Sequence, residues 1–179
     1  MKLFAKTLFA GLIFASLSLP VMAGAAAATA KTLLNQAESQ ARREKKNVMV
    51  IFHASWCGWC KKMDAMLESP KCKPLFDKNF VITHVVVLEN PANKQLENPG
   101  GEELMESLGG KGAGLPFFAI ISPKGEKLAD SILPKTGNMG FPSEPNEVTG
   151  FMAILKTAAP KLSEGDRTSI ETYLRNPKR

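Results

Sequence analysis

Short apolar runs rich in β-branched residues alternate with amphipathic stretches along the chain. Residues 48–52 and 81–88 are almost wholly apolar, which predicts strands that are buried on both faces. A third strand is predicted at 117–121, and Pro123-Lys124-Gly125 predicts a turn into a fourth strand at 126–132. The last two strands are therefore expected to form a hairpin.

Helical spacing separates and follows these strands. A first helix of about fifteen residues is predicted from the apolar positions Leu33, Leu34, Ala37 and Ala41. Further helices are predicted at 61–67, 72–78 and 102–108. Two more follow near the end, the first capped by Ser143 and the second by a capping box of Ser163 and Asp166. Strands alternating with helices predict an α/β fold with a central mixed sheet between layers of helices.

The first thirty residues have the pattern of an export signal. Lys2 and Lys6 precede an uncharged apolar stretch, and Val21-Met22-Ala23 provides small residues for cleavage. About a dozen apolar residues are too few to cross a hydrocarbon layer of roughly 30 Å, which disfavours an uncleaved anchor. We therefore expect a signal peptide at 1–23, a flexible mature terminus at 24–30, and a single domain at 31–179 of a periplasmic or secreted protein.

Charge and composition narrow the choice of partners. The formal net charge is +6, and the basic residues fall mostly on predicted solvated helix faces. A basic stripe with interleaved aromatic residues is missing, so a nucleic-acid partner is not expected. We expect a monomer that needs no cofactor.

Two of the three cysteines, Cys57 and Cys60, are separated by three positions. So close a pair closes almost no loop and adds little stability, which indicates a reactive role. Cys57 follows a predicted strand and opens a predicted helix, where unpaired N–H groups and the helix dipole favour a negative charge. Its thiol pKa is expected to lie below the free value of about 8.5. Cys57 would then attack a disulfide from an exposed position, and Cys60 would resolve the resulting mixed disulfide.

The segment Phe52–Met63 resembles the active site of the thioredoxin superfamily, especially exported thioredoxin-like proteins with a Trp-Cys-Gly-Trp-Cys-Lys core. The resemblance extends in the order of elements from Lys31 to Ile132. It implies a thioredoxin-like fold, here with extra C-terminal helices. It also implies that Pro116 is cis and faces the cysteine pair, and that the backbone of Leu115 pairs with an extended substrate segment.

The chain departs from thioredoxins at three points. Ile51 stands where thioredoxins carry a buried Asp, and Gly58-Trp59 replaces their Gly-Pro dipeptide. The substrate and the direction of electron flow are therefore not inherited from the resemblance. His84 falls where thioredoxins place a lysine, and we hypothesise that it helps proton transfer to Cys60. The alternative is a hydrogen-bonded strand histidine without a catalytic role.

The two tryptophans flank the cysteines and can form an apolar platform for a polypeptide substrate. Trp56 is nevertheless expected to pack in the core, whereas Trp59, between the cysteines at a helix start, is expected to be exposed.

A metal site would have to combine His53 with all three cysteines, because structural zinc takes four ligands. Cys72 lies roughly 20 Å along a straight helix from Cys57, so neither a metal site nor a bridge to the pair is expected. Cys72 is predicted to be a partly buried lone thiol, with a mixed disulfide or a dimer link as alternatives. The glycine-rich stretch 109–114 lacks the leading Gly and the Ser or Thr of a phosphate loop, and is interpreted as a flexible connection.

The sequence thus predicts a thiol-disulfide oxidoreductase that acts on protein or small-molecule disulfides outside the cytoplasm. No large insertion for grasping unfolded substrates is evident, which favours a reductase over an oxidase. A periplasmic reductase needs a dedicated electron donor, for which a membrane protein is a candidate. The alternative is a thioredoxin-fold binding or chaperone module without redox turnover.

Overall fold

The structure, a computed structural model, describes residues 27–176. The expected signal peptide at 1–23 lies outside the described residues, as do 24–26 of the expected flexible terminus. Within the described part of the chain, no helix has both the length and the apolar character needed to cross a membrane.

A mixed sheet with the strand order β2-β1-β3-β4 forms the centre of the molecule. Its strands are β1 Asn47–His53, β2 Phe80–Val86, β3 Phe117–Ile121 and β4 Lys127–Asp130. β2 runs parallel to β1, β3 runs antiparallel to β1, and β4 closes the predicted hairpin with β3. The four predicted strands and their mixed arrangement are confirmed. The prediction that the run 81–88 is buried on both faces is wrong, because β2 lies at the edge of the sheet and residues such as Thr83 and His84 are only partly buried.

Helices cover both faces of this sheet. They are α1 Ala30–Glu44, α2 Gly58–Leu67, α3 Lys73–Asn79, α4 Gly101–Met105, α5 Pro145–Ala158 and α6 Glu164–Arg175. A 3-10 helix spans Pro91–Leu96, and a π-helical turn at Glu106–Gly110 extends α4. The helix predicted at 102–108 is thus split, and the chain kinks at Gly109, where φ is +98°.

Successive residues of β1 point to opposite faces, so its continuous apolar run supplies two cores. Met49 and Ile51 pack with side chains of α2, α5 and α6 on one face. Val48 and Val50 pack with α1 on the other face. Because β1 is central and covered on both sides, its unbroken apolar pattern correctly predicted a strand that is buried on both faces.

The elements after β3 differ from the predictions at some positions and agree with them at others. A short two-stranded sheet, β5 Ile132–Leu133 with β6 Gly137–Asn138, was not predicted, and the fourth strand ends before it. Ser143 does not cap α5; the N-cap is Glu144, and the Glu147 carboxylate accepts the N–H groups of both residues. The predicted capping box of Ser163 and Asp166 is confirmed at α6.

Candidate active site

The two close cysteines form a disulfide at the start of α2. The Sγ atoms of Cys57 and Cys60 are 2.06 Å apart, and their Cα atoms are 5.3 Å apart. Cys57 is the N-cap of the helix, and its Sγ accepts the backbone N–H of Cys60 at 3.1 Å. The unpaired N–H groups of the first turn therefore surround this sulfur with positive potential, which favours a thiolate when the pair is reduced. In the disulfide form Cys57 is only 3% exposed, less than expected for an attacking sulfur.

The loop before β3 packs directly against the pair. The Leu115–Pro116 peptide bond is cis, which confirms the prediction made from the resemblance. The Leu115 side chain packs on the small cluster formed by Ala54, Cys57 and Cys60. Among residues 27–176, nothing hydrogen-bonds to the backbone N–H or C=O of Leu115. These two groups are free to pair with another chain.

The two tryptophans lie on the surface beside the disulfide. Trp59 is 48% exposed, as predicted, and its ring stacks on Phe141 with centroids 6.4 Å apart. The Nζ of Lys62 lies 3.9 Å from the centre of the same ring. Trp56 is 51% exposed, so the prediction that it packs in the core is wrong. Its indole N–H donates to the carbonyl of Leu88 at 2.9 Å, which holds the ring at the surface.

A groove of about 290 Å³ runs between the start of α2, the loop before β3 and the segment that begins at Asn138 in β6. One wall carries Trp59 and Leu115, and the other carries Asn138, Met139 and Phe141. The first wall was predicted from the sequence. The second wall was not, because residues 138–147 follow the predicted hairpin and their apolar residues have no regular spacing. The groove therefore combines the cysteine region with a part of the chain that lies far from it in sequence.

A buried carboxylate, Glu89, supports the loop that leads into Cys57. Glu89 is 4% exposed, and its two oxygens accept the N–H of Ser55 at 2.6 Å and the hydroxyl of Ser55 at 2.7 Å. Glu89 was not among the site residues predicted from the sequence. In the sequence, Glu89 is recognisable only as an acidic residue directly after a predicted buried strand. Its contact with Ser55, 34 positions away, could not be predicted from neighbouring residues.

We expect Glu89→Ala to lower the free energy of unfolding by about 1–3 kcal/mol, because hydrogen bonds to a charged, buried acceptor are lost. Glu103→Ala serves as the control, since Glu103 is exposed and its loss should cost less than about 0.5 kcal/mol. Urea denaturation of both variants measures the difference. Equal stabilities of the two variants would contradict a supporting role for Glu89.

His84 lies on β2 opposite Ile51. Its Nε2 is 3.0 Å from Oδ1 of Asp64, and its ring centre is 5.0 Å from that of His53. Burial, and secondly the neighbouring His84, lower the pKa of His53. Within 27–176 no hydrogen bond joins His84 to either cysteine, so the geometry agrees with a hydrogen-bonded strand histidine.

The third cysteine lies away from this site. Cys72 is a free thiol in the core, fully buried and not partly buried as expected. Burial raises the pKa of its thiol. In the part of the chain that the structure describes, no group of three or more His, Cys, Asp or Glu side chains is placed to hold a metal ion.

The chain matches the model of a known protein family. The family model for thioredoxin-like proteins matches residues 29–123, more than half of the chain. The chain therefore belongs to the thioredoxin-like family, and it has the thioredoxin-like fold with additional C-terminal helices.

Individual relatives are more distant. A protein disulfide-isomerase from Hordeum vulgare is 27% identical over 84 residues, which are 47% of this chain and 14% of the relative. The chain thus spans only a small part of that relative's length. Among solved structures, the disulphide isomerase from Xylella fastidiosa Temecula1 superposes with a TM-score of 0.50 at 19% identity, covering 92% of this chain and 100% of that one. A DsbH oxidoreductase superposes with a TM-score of 0.47 at 24% identity, covering 79% and 95% of the two chains.

Proposed function

We propose that the protein is a thiol-disulfide oxidoreductase that exchanges disulfides with proteins or small molecules. The observation that carries the proposal is the Cys57–Cys60 disulfide at the N-terminus of α2, packed against the cis-proline loop at Leu115. A disulfide that closes so short a loop adds little to stability, so redox turnover is the better explanation of its place in the fold.

The reaction consists of two exchanges. The Cys57 thiolate attacks one sulfur of the substrate disulfide, the substrate S–S bond breaks, and the departing substrate sulfur takes the electron pair and a proton. Cys60 then loses its proton and attacks Cys57 Sγ, which releases the second substrate thiol. The substrate has gained two electrons and two protons, and the protein ends in the disulfide form.

The surroundings of the pair suit a polypeptide substrate. Trp56 and Trp59 offer exposed aromatic surface beside the cysteines. The free backbone groups of Leu115 can pair with an extended segment in the manner of an added strand. A docked chain would thereby bring its disulfide next to Cys57.

We further propose that the protein works in the periplasm or after secretion, as a monomer and as a reductase. The signal-peptide pattern at 1–23 supports the location, and the lack of a large substrate-grasping insertion supports the direction. A reductase in an oxidising compartment must be reduced again after each turnover. We therefore propose a membrane-bound electron donor as the recycling partner.

Turnover can be tested with a peptide whose two halves are joined by a disulfide and carry mutually quenching fluorophores. With excess dithiothreitol and a small amount of the purified protein, each protein molecule should reduce many peptide molecules and so separate their halves. A rate equal to that of dithiothreitol alone would contradict the proposed activity.

Proton transfer by His84 stays a prediction. If His84 assists the deprotonation of Cys60, His84→Ala should change the pH profile of the exchange rate between about pH 5 and 9. Asp64→Asn is the matched control, because it removes the neighbouring charge and keeps a hydrogen-bonding group. Identical profiles for His84→Ala and the unmodified protein would eliminate the catalytic role.

The exposed tryptophans also favour a second candidate, a binding or chaperone module. Such a module would hold unfolded segments on the aromatic surface and would not need a thiolate. Removal of Cys57 separates the two functions.

A further inference from the structure

One side chain outside the cysteine region holds the cis-proline loop in place. Nδ2 of Asn138 donates to the carbonyls of Gly114 at 2.6 Å and Pro116 at 3.0 Å. Its Oδ1 accepts the hydroxyl of Ser131 at 2.6 Å and the N–H of Gly140 at 3.2 Å. Because carbonyl groups only accept and a backbone N–H only donates, this amide has a single orientation that satisfies its partners.

The two carbonyls that Asn138 binds flank Leu115. The C=O of Gly114 belongs to the same peptide unit as the N–H of Leu115, and in a trans peptide these groups point in opposite directions. Holding the Gly114 oxygen therefore fixes the direction of the Leu115 N–H. That N–H has no acceptor among residues 27–176, so it is available to donate a hydrogen bond to a substrate.

Asn138 is itself anchored to the central sheet. Ser131 is fully buried, its N–H donates to the carbonyl of Phe118 at 2.9 Å, and its hydroxyl accepts the N–H of Phe118 at 3.1 Å. Gly140 lies over the proline, because a Cβ at this position would be 3.5 Å from Pro116 Cδ. A continuous path of hydrogen bonds thus runs from β3 through Ser131 and Asn138 to the loop.

We infer that Asn138 is a positioning residue that holds Gly114–Pro116 in the shape required for docking an extended peptide disulfide. This inference rests on the proposed oxidoreductase function. Asn138 acts on the backbone that pairs with the substrate and makes no hydrogen bond to Cys57 or Cys60. A small disulfide without a peptide backbone should therefore react independently of Asn138.

The experiment compares Asn138→Asp with the unmodified protein. The substitution keeps the shape and places a carboxylate oxygen against the two carbonyls that now accept hydrogen bonds. With the quenched peptide disulfide we expect kcat/KM to fall at least about tenfold, mainly through KM. With hydroxyethyl disulfide we expect a change of less than about twofold, and the reduction potential of the pair should not move. Asn35→Asp, an exposed position in α1, controls for the added charge and should leave both rates unchanged.

Equal losses with both substrates, a shifted reduction potential, or unchanged peptide kinetics would overturn the inference. If thermal unfolding shows that Asn138→Asp does not fold, Asn138→Ala replaces it. The same division between the two substrates is then expected, with a smaller loss on the peptide. An unmodified protein that turns over neither substrate would overturn the proposed function, and this inference with it. Turnover by the unmodified protein together with normal peptide kinetics in the variants would overturn this inference alone.

Discussion

Replacing Cys57 with alanine is expected to lower the rate of peptide-disulfide reduction by about a thousandfold or more, because the variant lacks the proposed attacking thiol. The peptide assay with limiting protein measures the loss. Cys72→Ala is the matched control: Cys72 is buried and free, and its replacement should leave the rate unchanged. The Cys57–Cys60 disulfide closes a very short loop, so its removal should change the folded fraction little.

The same variant decides between the two candidate functions. A redox enzyme loses its activity without Cys57, whereas a binding module keeps the exposed surface of Trp56 and Trp59. Full biological activity of Cys57→Ala would therefore favour the binding module and contradict the proposed chemistry.

Replacing Cys60 with alanine is expected to stop the reaction after the first exchange. The Cα atoms of the two cysteines are 5.3 Å apart, which places Cys60 within reach of the bond between Cys57 and a substrate sulfur. Without Cys60, close to one peptide per protein molecule should remain bound as a mixed disulfide, and multiple turnover should stop. Mass measurement of the intact protein after mixing with the peptide disulfide, without added reductant, checks this result.

The position of the trapped peptide is as informative as its amount. Proteolytic mapping should find it on Cys57. A peptide on Cys72, or the absence of any adduct, would contradict the assignment of Cys57 as the attacking thiol. Blocking the reduced protein with iodoacetamide before mixing is the control, since an alkylated Cys57 cannot form the adduct.

The fold was largely predictable because its central strands lie between two layers of helices. β1 and β3 are buried on both faces, so each appears as an unbroken apolar run. The amphipathic positions of α1 and the capping box of α6 are local signals of the same quality. The cis bond before Pro116 came from the family resemblance, since a proline before a strand does not by itself indicate its isomer.

The supporting residues of the site could not be predicted, because their partners lie far away in the chain. Glu89 meets Ser55 across 34 positions, and Asn138 meets Gly114 across 24. A single polar residue has no periodicity from which such a contact could be predicted. The error at Trp56 has a similar origin: a large aromatic side chain is normally buried, but its indole N–H found an acceptor, Leu88, at the surface.

The second wall of the groove lies beyond the region that defines the family. The family match ends at residue 123, whereas Asn138, Met139 and Phe141 belong to the segment that follows it. Family membership therefore accounts for the cysteine pair and the cis-proline loop. The residues that shape the groove opposite Leu115 lie outside the matched residues.

The most direct test of the account is the reduction potential of the Cys57–Cys60 pair, measured by equilibrating the protein in graded thiol-disulfide buffers and counting free thiols by alkylation and mass. A reductase predicts a value near the roughly −270 mV of thioredoxin. A value near the roughly −120 mV of the strong periplasmic oxidant would contradict the proposed direction of electron flow. A pair that resists reduction, with a potential well below about −300 mV, would mark a structural disulfide and contradict the catalytic role itself.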